Sequence, residues 1–216
     1  MSRFRLKMTL GTLICALVIA TAPDASASSN HGRGHGHGRP TAAEYHDLWR
    51  TLWEDHITWT RMVILGIFKD LPCTDSYVAR LLDNPGDMAD ALRPFYGNQA
   101  ADRFGELVTE HLTIAAELLQ AAKAGDTDAF DDANRRWYDN GEEIAAFLTG
   151  LDSRAWPRRE TERMWEEHLD ATLREAVAVL HDDCAGDVEA YDQVHDLALE
   201  MADSFSNGVF RKHGAH

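Results

Sequence analysis

Apolar side chains recur every three or four residues along most of the chain, which is the spacing of an amphipathic helix. The alternation that is typical of a half-buried strand is nearly absent. A proline at Asn84-Pro85-Gly86 is expected to break one of the helices, because proline lacks an amide donor and clashes with the preceding turn. The spacing predicts six helices, over residues 42–69, 75–95, 98–123, 127–149, 157–182 and 187–211.

Short phrases of sequence recur at a nearly constant interval. The phrase Trp53–Ile57 returns as Trp165–Leu169, and Glu110–Leu112 keeps its acid-His-aliphatic part. Such self-similarity is the signature of a repeated structural unit. The histidines of the three phrases stand 55 and 57 residues apart: His56, His111 and His168.

The helices between these phrases repeat as well. Arg80–Asn84 matches Arg136–Asn140, and Ala124–Asp131 matches Ala185–Asp192. One unit is therefore a helical hairpin whose first helix carries the histidine. The sequence predicts an all-α protein, a six-helix bundle built from three helical-hairpin repeats of about 56 residues.

The three histidines lie on the apolar stripes of their helices. Successive helices of a bundle alternate in direction, so these three helices are parallel. The histidines stand 14, 16 and 18 residues before the turns that follow them. At about 1.5 Å per helical residue, their levels differ by roughly 6 Å. We therefore expect one interior layer that holds three imidazoles.

Three buried imidazoles with carboxylates nearby have the composition of a transition-metal site, with zinc or copper as the ion. Neutral imidazole is the commonest nitrogen ligand of metals in proteins. The predicted metal ligands are His56, His111 and His168, with assistance from Asp83, Asp139 or Asp203 at about the same level.

Two other interpretations of the layer stay open. In the first, the histidines only pack and bond to hydroxyls such as those of Thr60 and Thr172, and the protein is a ligand-free structural or interaction protein of the cell envelope. In the second, a His–carboxylate pair serves as general acid and base of a hydrolase-type enzyme, which requires a solvent-connected pocket at the layer.

The start of the chain has the pattern of an exported protein. Residues 1–27 combine Arg3, Arg5 and Lys7 with a short apolar run and the small-residue site Ala25-Ser26-Ala27, which is typical of a cleaved signal peptide. A Gly- and His-rich leader over 28–41 is expected to stay disordered. The bundle domain then occupies 42–212, and the predicted location is secreted or extracytoplasmic.

The net charge and the cysteine content limit the binding partners and the covalent bonds that we expect. The formal net charge is −15, so nucleic acid and anionic lipid are not expected to bind, and we expect no membrane insertion. Phosphate-binding glycine loops and Gly-x-Ser-x-Gly are absent from the sequence. In an exported protein, Cys73 and Cys184 predict an intramolecular disulfide, since both fall in connections at one end of the bundle, and free thiols are the alternative.

Four phrases resemble one family. They are Leu52–Arg61, Pro94–Gly97, Ala121–Asp126 and Ala198–Asp203. The chain is similar over about 44–210 to a group of small bacterial helical proteins, exported or cell-associated, that have no established activity. Some relatives carry transferase or kinase labels, which an all-α chain without a phosphate loop does not support. The resemblance implies the helical fold and no particular activity.

Overall fold

The computed structural model describes residues 40–213, without the side chains of the last two. The predicted signal peptide, and the predicted leader up to residue 39, lie outside these residues. Within them the chain is helical, with short connections and no strand, so the all-α class is confirmed. The helices are α1 Ala42–Phe68, α2 Thr74–Leu81, α3 Asn84–Ala124, α4 Thr127–Leu151, α5 Arg158–Leu180 and α6 Cys184–His213.

The long helices pack as a bundle. Successive helices α3 to α6 lie side by side, and α1 lies between α6 and α3, so that these five form a closed ring. The short α2 packs on α1. Among the largest fully buried side chains are aromatic residues that fill the interior, including Tyr45, Trp49, Trp53, Phe104, Trp156 and Phe205.

Local signals in the sequence begin and end several helices. Thr41 and Glu44 form a reciprocal capping box that starts α1. Gly125 ends α3 with a φ of 68°, a left-handed conformation that suits glycine. Asp126 then caps α4 by accepting from the backbone amide of Ala129.

The second predicted helix is two segments in the structure, and the boundary between the second and third predicted helices lies inside α3. The predicted interruption is present: α2 ends at Leu81, and Asn84-Pro85 begins α3. Proline is well tolerated in this first turn, because its missing amide has no partner to lose there. At Gly97 the backbone leaves the helical region, with a φ of 79°, and α3 is kinked there, between the second and third predicted helices. The count of six long helices and the threefold hairpin organisation therefore stay predictions.

Two further observations bear on partners. None of the helices within residues 40–213 has the length and apolar character to cross a bilayer. Cys73 and Cys184 are free, exposed thiols, so the predicted bridge is not formed. Cys73 is the N-cap residue of α2, whereas the Cys184 thiol at the start of α6 approaches the carbonyl of Asp182.

Candidate functional site

Three buried histidines come from three different helices. His56 belongs to α1, His111 to α3 and His168 to α5, and each side chain is at most 3% exposed. Each takes its place because apolar residues three, four and seven positions away turn the same helix face inward. Histidine is seldom this buried without polar partners, so the partners of each ring decide what the group can do.

The three imidazoles line one small cavity. Its volume is about 30 Å³, and Thr60, Thr172 and apolar side chains complete its wall. The ring centres of His56 and His168 are 6.0 Å apart. A cavity of this size has room for a water molecule or an ion, because one water needs only about 10–15 Å³ measured this way.

An asparagine fixes the orientation of His56. The ring Nδ1 lies 3.0 Å from Oδ1 of Asn84, and Nδ2 of Asn84 donates to the carbonyl of Leu52 at 2.9 Å. The carbonyl can only accept, so the amide must turn its NH₂ toward Leu52 and its oxygen toward the ring. His56 then carries its proton on Nδ1, and its lone pair is on Nε2.

The same arrangement occurs a second time, at His111. Its Nδ1 lies 2.9 Å from Oδ1 of Asn140, and Nδ2 of Asn140 donates to the carbonyl of Leu107 at 3.2 Å. Leu107 precedes His111 by four residues, as Leu52 precedes His56. His111 therefore has the same tautomer as His56, with Nε2 as the acceptor nitrogen.

His168 lacks this arrangement. Its Nδ1 is buried and has no hydrogen-bond partner. The hydroxyl of Thr172 donates to the backbone carbonyl of His168 at 2.9 Å and does not bond the ring. Thr60 Oγ1, also beside the cavity, is a second buried polar atom without a partner. Such atoms are uncommon in folded proteins, and where they occur an ion or a water molecule often binds them.

Burial keeps the three rings neutral at physiological pH. Loss of hydration lowers the pKa of His56 to about 4 and that of His111 to about 3. The pKa of His168 lies well below its ordinary value, mainly through burial and further through the two other imidazoles. Neutral imidazole has a free lone pair, which is the form that binds metal ions.

Tryptophans surround the layer. The Trp137 ring stacks on His111 with centres 5.3 Å apart, and Trp53 meets both His56 and His168 edge-on at 5.2 and 5.6 Å. Trp165 lies 5.7 Å from His111. These contacts exclude bulk water from the histidines. They also place three indoles where a bound ion would alter their fluorescence.

The predicted carboxylates do not join the histidines. Asp83 is exposed at the start of α3, and Asp139 is exposed and accepts from Arg135. Asp203 accepts from Nε and Nη2 of Arg50 through its two carboxylate oxygens. Exposed carboxylates remain hydrated or pair with arginine, because burying a charge beside neutral rings is costly. Within residues 40–213, no group of three or more His, Cys, Asp or Glu side chains stands in a metal-binding arrangement.

Sequence reasoning missed a second buried polar group. Arg61 donates to Glu175 at 2.6 Å and, through two nitrogens, to Asp187 at 2.7 and 2.8 Å. Glu175 is only 1% exposed, and burial raises its pKa to about 7. Glu175 lies three residues after Thr172 on the buried face of α5, and this position is the sequence signal that could have identified it.

Comparisons with known proteins add no relative. A scan against family models, a search of curated proteins and a search of solved structures each found no match. The resemblance carried by the four sequence phrases therefore stays a prediction.

Proposed function

We propose that the protein is an exported helical bundle that binds one transition-metal ion, zinc or copper, through His56, His111 and His168. Nδ1 of His168 and Oγ1 of Thr60, buried beside a cavity of about 30 Å³ and without partners, carry the proposal. Export is proposed from the signal-peptide pattern of residues 1–27.

The donor chemistry fits such an ion. Three neutral nitrogens with room for one more ligand resemble the open three-histidine sites of zinc proteins. Two histidines that bind one zinc tetrahedrally through nitrogen, at 2.0–2.1 Å, bring their ring centres to about 5–5.5 Å. The ring centres of His56 and His168 are 6.0 Å apart, so a small rotation of one ring would bring them to that distance. Asp83, Asp139 and Asp203 are left out of the proposed ligand set, because they are exposed or paired with arginine.

We also propose that the fold descends from three hairpin repeats. Buried positions support this view, since they recur with the same spacing in three segments that follow a histidine helix. The first segment contains Leu81, Asn84, Met88 and Leu92, and the second Trp137, Asn140, Ile144 and Leu148. In α6, Ala198, Met201, Phe205 and Val209 have the same spacing.

A ligand-free structural protein is the second candidate. The hydrogen bonds from His56 to Asn84 and from His111 to Asn140 favour it, because they satisfy two rings without any ligand. This candidate predicts that a chelator leaves the melting temperature unchanged. An enzyme with a His–carboxylate pair is disfavoured, since no Asp or Glu is among the described residues that line the cavity.

Metal analysis of the purified protein tests the proposal. We expect about one equivalent of zinc or copper that resists dialysis, and a higher melting temperature with the ion than with chelator, since a ligand bound only by the folded state stabilises it. The triple variant His56→Ala, His111→Ala, His168→Ala should lose both.

A matched triple variant separates the layer from surface histidines. His46, His181 and His195 are outside the layer, and their replacement by alanine should keep the bound ion. Histidines of the leader are the same in all three proteins, so their binding cancels in the comparison. Equal metal content in the wild type and the buried triple variant would overturn the proposal.

A further inference from the structure

We propose that Asn84 and Asn140 are positioning residues that present Nε2 of His56 and His111 to the ion, and that His168 is the ligand whose ring turns to complete the site. This inference rests on the proposed function for the ion. The hydrogen bonds on which it depends are present without one.

Each asparagine is held at both ends, which makes it a rigid partner. Its NH₂ bonds a carbonyl one helical turn before the histidine, and its oxygen accepts from Nδ1 of the ring. A flipped amide would set its oxygen against the carbonyl oxygen and lose that bond. The two asparagines therefore fix both the tautomer and the orientation of their rings.

Partners of this kind matter to metal ligands. A histidine that binds through one nitrogen generally donates the other N–H to an oxygen, which aligns the ring and raises its basicity. Loss of such a partner typically lowers metal affinity 10–100-fold. Asn84 and Asn140 supply the oxygen in the metal-free protein, so two of the three ligands are oriented in advance.

Met201 corresponds to Asn84 and Asn140 in the third unit. It follows Ala198 by three residues and precedes Phe205 by four, as Asn140 does with Trp137 and Ile144, and it is fully buried. Unlike an amide, its thioether offers only a weak acceptor and no donor. Nδ1 of His168 is correspondingly without a partner.

His168 is freer to move than the other two rings, and within residues 40–213 no three-ligand group stands assembled. No hydrogen bond holds its ring, because the bond from Thr172 ends on its backbone carbonyl. Rotation about its side-chain bonds therefore breaks no hydrogen bond of the ring. It is the one ring of the three that can move toward an ion without losing a partner.

Nitrogen NMR of the metal-free protein, labelled at histidine, tests the inference without any ion. We expect His56 and His111 as the Nδ1–H tautomer, the minority form of free histidine, and His168 without that fixed preference. The variant Asn140→Leu should abolish the preference at His111 and leave His56 unchanged.

Zinc titration of the same proteins completes the test. Asn140→Leu should weaken binding 10–100-fold, whereas Asn98→Leu, at an exposed asparagine, should bind as the wild type does. Absence of zinc binding together with the expected tautomers would defeat the metal function and leave the positioning intact. A Nε2–H tautomer at His56 or His111 in the wild type would overturn the inference itself.

Discussion

Helices α1 and α5 carry two buried polar groups that differ in charge and in how completely their polar atoms are paired. One is the histidine layer, with His56 on α1 and His168 on α5. The other, about one to two turns along, is the ionic cluster of Arg61, Glu175 and Asp187. The cluster is charged and fully paired, with Arg61 also 4.6 Å above the ring of Tyr191. The layer is neutral and leaves Nδ1 of His168 without a partner.

The difference separates a structural group from a candidate binding group. Charges as buried as Glu175 persist only when paired, and three paired side chains tie α1, α5 and α6 together without any ligand. The layer has unused nitrogen donors, a cavity of about 30 Å³ and unpaired polar atoms at its wall. If the layer only stabilised the fold, we would expect its polar atoms to have partners, as those of the ionic cluster do.

Removal of Arg61 should give the largest effect on stability. Arg61→Met leaves Glu175 buried without its cation, which typically costs about 3–5 kcal/mol of unfolding free energy. Urea denaturation at pH 8, where Glu175 is ionised, measures it. The control Arg163→Met breaks an exposed, solvent-screened pair with Glu167 and should leave stability nearly unchanged. A similar small loss for Arg61→Met would contradict the cluster's structural role.

Acid should destabilise the metal-free protein steeply. The histidines have lowered pKa values, so the unfolded chain binds up to three more protons than the folded one below about pH 6.5, and stability falls as pH falls toward 4. The raised pKa of Glu175, about 7, acts oppositely, because the folded state holds that proton between the ordinary carboxyl pKa and 7.

Together these groups give the free energy of unfolding a measurable dependence on pH. Three protons taken up by the unfolded state, less one held by the folded state, leave a net of two near pH 5–6, or about 2.7 kcal/mol per pH unit. Urea midpoints collected across this range in the presence of chelator measure the slope. Stability that is flat or rises toward pH 5 would show that the three rings are not buried as neutral groups.

Two leucine substitutions should separate the paired and unpaired histidines. His111→Leu leaves Oδ1 of Asn140 buried without its donor, which costs about 1–3 kcal/mol. His168→Leu removes a ring nitrogen that already lacks a partner, so the metal-free protein should change by less than about 1 kcal/mol. Equal losses in chelator would contradict the contrast drawn between the two rings.

The smallest expected effect is at Met201. Met201→Asn supplies an amide at the position that corresponds to Asn84 and Asn140 in the proposed third unit, and we expect the His168 ring to acquire the Nδ1–H tautomer and zinc affinity to rise by up to about tenfold. Met201→Leu, which keeps the volume without an amide, should match the wild type. Identical histidine spectra for the two variants would show that position 201 does not serve the third ring.

The sequence predicted the all-α class and most helix bounds because apolar spacing and caps act locally. It also predicted the break at Asn84-Pro85 and the change of conformation at Gly97, where proline and glycine act locally. It did not predict that the segments on the two sides of Gly97 form one kinked helix, because that depends on packing. The choice of His56, His111 and His168 came from repeated phrases on apolar stripes. All three side chains line the cavity.

Partners of the site were harder to predict from the sequence. Asp203 was grouped with the histidines by level, but its carboxylate pairs with Arg50 across the bundle surface. The height of a residue along its helix does not determine the direction in which its side chain faces. Exposed arginines also compete with the histidines for carboxylates. The pairing of Arg61 with Glu175 and Asp187 joins residues more than a hundred positions apart, which no local pattern specifies.

Diffraction from crystals grown with zinc tests the central claim most directly. Anomalous scattering at the zinc edge locates the ion independently of the protein phases. The account predicts one strong peak in the cavity, about 2.0–2.1 Å from Nε2 of His56, Nε2 of His111 and one ring nitrogen of His168. Zinc-saturated crystals with anomalous peaks only at surface residues, and only water between the three rings, would contradict it.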